Sequence, residues 1–237
     1  MNTKSETART YEKRWGTGGE PLPLRWVSRT HRTFKLADTR PMNFSLELRN
    51  VVADVVERVP EFAHINPAAI LYTFTWSRTR SKYGLLARVT PLRFQGGRTY
   101  KQLRGKLYQV ERYYIDQREL LYVFTCCLPR FLDQTFEEKW ITIFHELHHM
   151  SVAFDGDLRR HAGRYQYHTH SKKGYDADMA ALVRRYLAAH PEPMRFGFLH
   201  RTFDQLWGHH GGIYGLKIPR PKMLPMHLHD TAHPEPR

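Results

Sequence analysis

Three residues of this chain have the types and the spacing for metal chemistry: His145, Glu146 and His149, an H-E-x-x-H run. On an α-helix, side chains four apart lie one above the other, so two imidazoles on adjacent turns can hold one metal ion. The carboxylate beside the first histidine then reaches a water on that metal and can take its proton. Zinc-dependent hydrolysis uses this set of nitrogen ligands, open coordination position and base. The chain holds 15 histidines, so the pattern could arise by chance, and its weight rests on the surroundings.

Those surroundings predict a helix. Thr135 followed three residues later by Glu138 is a capping box, and Trp140, Ile141, Ile143, Phe144 and Leu147 supply apolar faces to bury. A catalytic zinc takes three protein ligands, so one remains to be found. The metzincin pattern would place Gly at 152 and His at 155, where this chain has Val152 and Asp155. His161 is the leading candidate, because the turn Asp155-Gly156-Asp157 lets the chain double back from the helix end. Asp155 itself, or Asp176 or Asp178 on a later helix, are the alternatives. Tyr165, Tyr167, Tyr175 and Arg159 are available to stabilise an oxyanion. Of the other histidines, His148 falls on the motif side of the helix and reads as a packing or supporting group. His168 and His170 read as loop residues, and His209, His210, His227 and His229 as surface and tail.

The elements that must position these residues follow from hydropathy patterning. Residues 1–40 mix charge, Gly and Pro and read as a basic, partly disordered arm with a short strand near 24–27. Leu46, Leu48, Val51, Val52, Val55 and Val56 recur at helical spacing after Asn43, until Pro60. Strands are predicted at 70–76, 85–94, 106–114 and 120–126, the last a nearly continuous apolar run and so a central strand. After the motif helix, a further helix is expected over 173–189, with strand-like pieces at 196–199 and 213–218 around a GHHGG turn. The expected fold is α+β, a small zincin-like core of the minigluzincin type. A helix packs on a mixed three- to four-stranded sheet, followed by the metal helix and one more helix. It occupies residues 41–218, with a Pro/His-rich tail at 219–237. An edge strand over the metal would take an extended peptide by strand addition, and the 93–101 loop borders such a strand.

Composition bounds the function. No run approaches a membrane span, so a soluble, cytoplasmic protein without a membrane partner is expected. Adjacent Cys126 and Cys127 form no disulfide framework and read as small buried side chains. The formal net charge is +14, and between positions 78 and 118 eleven Lys or Arg face only Glu111 and Asp116, interleaved with tyrosines. That stretch suits a nucleic-acid face as well as a solvated set of strands. Two functions therefore stand at this point. One is a zinc metallopeptidase acting on a protein or peptide with Glu146 as base. The other is a basic DNA- or RNA-associated binding protein whose zinc site is structural or vestigial.

The run His145-Glu146-Leu147-x-His149, followed by Phe154-x-Gly156-x-Leu158-Arg159-x-His161, resembles a family of HExxH zinc metallopeptidases found in phage and archaeal genomes. That family's motif reads approximately HELxH, F-x-G-x-L-R-x-H. Ala87-Arg88 and Pro91-Leu92-Arg93-Phe94 look like a weaker upstream element of it. The resemblance spans roughly residues 80–190 and implies a Zn2+ ligand set of His145, His149 and His161, with Glu146 catalytic. It also implies a fold similar to small zincins such as the SprT-like metalloproteases. The chain departs from the family at His148, where an apolar residue is usual, and in an insert-like YQYHTHSKKG after Arg164.

Overall fold

The segment Tyr122–Leu128 is apolar at nearly every position because both of its faces are covered: all seven residues are buried. The computed structural model describes residues 11–27, 40–81, 83–160, 172–189 and 191–226. In chain order, β1 (Glu12–Trp15), β2 (Leu24–Trp26) and β3 (Met42–Asn43) lead into helix α1 (Phe44–Arg58). Then come β4 (Ile70–Trp76), β5 (Ala87–Pro91), β6 (Tyr100–Leu103), β7 (Lys106–Val110) and β8 (Arg112–Ile115). Next, β9 (Arg118–Leu120) and β10 (Tyr122–Leu128) precede helix α2 (Phe136–His148). Helices α3 (Lys172–Ala188) and α4 (Phe203–His210) are followed by β11 (Ile213–Leu216) and β12 (Met223–Pro225).

The expected α+β class holds. β10 is the central strand of the mixed sheet β4-β10-β5, parallel to β4 and antiparallel to β5. Side chains alternate across a strand. Tyr122, Phe124, Cys126 and Leu128 of β10, with Ile70, Tyr72 and Phe74 of β4, join one core with buried residues of all four helices. Val123 and Leu71 point the other way and pack with Trp15, Tyr113, Leu120 and Leu216. The helices therefore lie on one face of this sheet and further strands on the other. Asn43 caps α1 by accepting from the Leu46 N–H, and Pro60 follows its end. Cys126 and Cys127 are buried, and burial raises both thiol pKa values.

Several expectations are revised. Four three-stranded sheets are present among the described residues, rather than one sheet of three to four strands. The short strand expected near 24–27 is present as β2, antiparallel to β11, but β1 in the expected arm also pairs, parallel to β8, and β12 in the expected tail pairs with β7. The single strand expected over 106–114 is two. β7 pairs with β6 and β12 while β8 pairs with β1 and β9, so the chain must change partners at Glu111. The piece at 196–199 is not a strand but part of a 3-10 turn, Gly197–His200. Lys139 of α2 fixes that turn through Nζ donation to Leu199 O at 2.9 Å and Arg201 O at 2.7 Å. In GHHGG, the first three residues are the last turn of α4, and Gly211 ends it in the left-handed region at φ +67°. No helix among the described residues is long and apolar enough to cross a membrane.

Candidate metal centre

The capping box at the start of α2 forms as expected. Thr135 Oγ1 accepts from the Glu138 N–H, and a Glu138 carboxylate oxygen accepts from the Thr135 N–H at 2.8 Å. Trp140, Ile143, Phe144 and Leu147 bury one side of the helix in the core, which leaves His145 and His149 half-buried on the opposite side. His149 is the C-cap, yet its backbone stays right-handed helical (φ −71°, ψ −16°), so the i, i+4 relation survives to the helix end. The two imidazole centroids are 4.7 Å apart. Asp176 of α3 approaches His145 Nδ1 at 3.3 Å. A carboxylate can only accept, so the proton sits on Nδ1 and the ring presents its lone pair at Nε2.

Glu146 is turned toward strand β5. Leu86 O accepts from Cys127 N, and Leu92 N donates to Leu121 O. Even-numbered residues thus bond β10, and Ala87 and Val89 turn their polar groups to the open edge. Glu146 Oε2 takes the Val89 N–H there, at 2.7 Å. Burial pushes the Glu146 carboxyl up to about 7, with the Val89 N–H and the Arg88 charge pulling against it. That value suits a proton acceptor working near neutral pH. Oε1 makes no hydrogen bond among the described residues and is the oxygen left to receive a proton.

Beyond α2 the chain reverses. Met150 bridges Leu158 in antiparallel fashion, Ser151 N donates to Asp157 O at 3.2 Å, and Arg159 N donates to His149 O at 2.7 Å. Two left-handed residues make the reversal, Phe154 (φ +48°) and Gly156 (φ +88°). The buried Tyr122 hydroxyl braces it, accepting from Gly156 N at 3.1 Å and donating to Asp157 O at 2.8 Å. The chain is therefore back beside His149 two residues before position 161. His161 lies outside the described residues, as do Tyr165, Tyr167, His168, His170, His227 and His229.

No family model, curated protein or solved structure matches the chain.

The alternative ligands take other places. Asp155 accepts from the Asp157 N–H at 3.1 Å and braces the turn, Asp178 is exposed, and Asp176 faces the Nδ1 side of His145. His148 does not simply pack. Its Nδ1 lies 2.5 Å from Tyr175 Oη, and its Nε2 2.9 Å from an Arg159 nitrogen. Tyr175 also lies against both motif histidines, 4.7 Å from the His145 ring and stacked 5.9 Å from His149. Arg159, expected as an oxyanion group, is engaged by His148 and Met150 O, while Arg160 pairs with Asp157.

Among the described residues, no group of three or more His, Cys, Asp or Glu could hold a metal ion. The two imidazoles fit zinc as part of its ligand set: they are nitrogen donors on one helix face, and one is oriented by a carboxylate in the way metal-binding histidines commonly are.

Proposed function

We propose that the chain is a zinc-dependent metallopeptidase, with His145, His149 and His161 as metal ligands and Glu146 as general base. The observation that carries the reading is the buried Glu146 carboxylate. It sits beside an i, i+4 histidine pair, at the open edge of a strand, with one oxygen held by Val89. Bound zinc would supply Lewis-acid polarisation of the scissile carbonyl and lower the pKa of a coordinated water toward ~7.

The remaining roles belong to this chain's own groups. Glu146 Oε1 takes the proton of the attacking water and returns it to the departing amine. With the Val89 N–H held by Glu146 and no N–H on Pro91, an extended peptide would pair with β5 through its remaining outward groups, the Ala87 backbone and the Val89 carbonyl. Tyr175 is favoured over Arg159 as the oxyanion donor. Arg159 can only donate, so His148 Nε2 accepts and Nδ1 carries the proton, donating to Tyr175 Oη. The phenol proton is thereby directed away from His148. The order α1, sheet β4-β10-β5, α2, α3 supports a zincin-like core within residues 41–218, and free Cys126 and Cys127 suit a reducing cytoplasm.

The alternative, a DNA- or RNA-associated binding protein with a structural or vestigial zinc site, gives Glu146 no task, although burying a carboxylate is costly. The test compares zinc content and hydrolysis of a denatured generic protein for wild type and Glu146→Gln. The variant is expected to keep its zinc and lose hydrolysis by roughly 10²–10⁴-fold. Equal hydrolysis by both would remove Glu146 as base and the mechanism with it.

A further inference from the structure

Some cations of the basic stretch are paired within the fold, while others, among them exposed Arg78, Arg98 and Arg118 and three on one hairpin, form no ion pair among the described residues. Arg93 and Arg112 both bond Glu119, each at 2.8 Å, and Arg80 pairs with Asp133 and Asp204. These charges are neutralised within the molecule. Lys101, Arg104 and Lys106 form no ion pair among the described residues, and all three are exposed. They sit on the β6–β7 hairpin, whose two-residue turn is Arg104-Gly105, at φ +48° and +76°.

In the register of the hairpin, Lys101 stands opposite Tyr108 and Leu103 opposite Lys106. Directly paired residues share a face, and so do alternate residues on one strand. Lys101, Lys106 and the half-buried Tyr108 therefore present one surface, with Arg104 at its tip. From Arg98 to Val110 the sequence has no Asp or Glu, so nothing on the ribbon offsets the repulsion among the three cations.

We propose that the β6–β7 hairpin binds nucleic acid, with Lys101, Arg104 and Lys106 on backbone phosphates and Tyr108 against the sugar-base surface. A polyanion relieves the mutual repulsion and releases its own counterions. At its tip, beyond the pairing of β7 with β12, the hairpin is two-stranded and of a size that the major groove of a duplex admits. An anionic bilayer fits less well, because the tip is Arg-Gly and carries no apolar side chain to bury among lipid chains. None of these residues belongs to the candidate metal centre, so this proposal stands or falls separately from the peptidase reading.

The test measures binding of the full-length protein to a fluorescently labelled random-sequence DNA duplex by anisotropy, over a range of salt concentrations. The triple variant Lys101→Ala/Arg104→Ala/Lys106→Ala is compared with a control matched in charge, Arg25→Ala/Arg49→Ala/Arg184→Ala, which removes exposed arginines elsewhere. The hairpin variant is expected to bind at least tenfold more weakly. Its slope of log K against log salt should be shallower by up to about 2.7, at ~0.9 for each phosphate that is no longer neutralised. The control should stay within about twofold of wild type. Circular dichroism and melting temperature establish that both variants keep the fold. Absence of duplex binding by the wild type, equal losses in the two variants, or a hairpin variant that loses only its binding to phosphatidylserine vesicles would each overturn the proposal.

Discussion

Asp176 is one residue whose role the fold redefines. As a sequence position it is an alternative zinc ligand; in the structure it accepts from His145 Nδ1, fixing the tautomer that keeps the lone pair on Nε2. Removing such a partner typically costs 10–100-fold in metal affinity while leaving the ligands in place. Asp176→Ala is therefore expected to weaken zinc binding by about that factor in competition with a chromophoric chelator. Its cobalt-substituted form should keep the wild-type absorption spectrum; a changed ligand-field spectrum would make Asp176 a ligand instead. The H-E-x-x-H pair was legible in sequence because i, i+4 is a local relation. The grip of Val89 on Glu146 and of Asp176 on His145 was not, since the partners are 57 and 31 residues apart. Tyr175 could be named from sequence as a candidate oxyanion group, but not chosen over Tyr165, Tyr167 or Arg159. Its place beside His145, His148 and His149 depends on how α3 packs on α2.

At the scale of elements, the reversal after α2 is what makes His161 the favoured third ligand, and the β10 tyrosine holds it. Tyr122→Phe leaves the buried Gly156 N–H without its acceptor, a loss of about 1–3 kcal/mol. Gly156→Ala strains a backbone at φ +88° and sets a Cβ 2.5 Å from Arg93 Cγ, so it should cost a similar amount. Urea unfolding of the metal-free proteins measures both costs. If the reversal delivers a ligand, both variants should also bind zinc more weakly; unchanged zinc affinity with lowered stability would separate the turn from the site. The Asp-Gly turn, the apolar run of β10 and the Thr135 capping box could all be read from short-range pattern. Helix α4 could have been, because Thr202 and Gln205 form a second capping box ahead of it. What short-range pattern did not carry was pairing at a distance. Glu12–Trp15 has little apolar periodicity and becomes a strand because β8 offers it a parallel edge.

Across the whole molecule, α2 is tied to the C-terminal part of the chain by a buried ammonium. Lys139 is 1% exposed and donates to two carbonyls of the segment that precedes α4, so the helix carrying the histidines is braced from behind. Burial lowers its pKa from 10.5 to about 8, with Asp133 pulling weakly the other way. Below pH 8 the lysine is charged in both folded and unfolded chains, and the cost of burying that charge is constant. Between about 8 and 10.5 the unfolded chain holds more protons than the folded one, so this residue's contribution to stability rises with pH. Cys126 and Cys127, with raised folded pKa values, pull the opposite way as pH climbs past 9. The informative quantity is therefore the difference between wild type and Lys139→Met, in which the thiols cancel. Urea midpoints at pH 7.5 and 9.5 should show wild type gaining on the variant by roughly 2 kcal/mol, at 1.36 kcal/mol per unit of pKa shift. A constant difference between the two proteins would mean that Lys139 keeps an ordinary pKa and that the brace carries no desolvation cost.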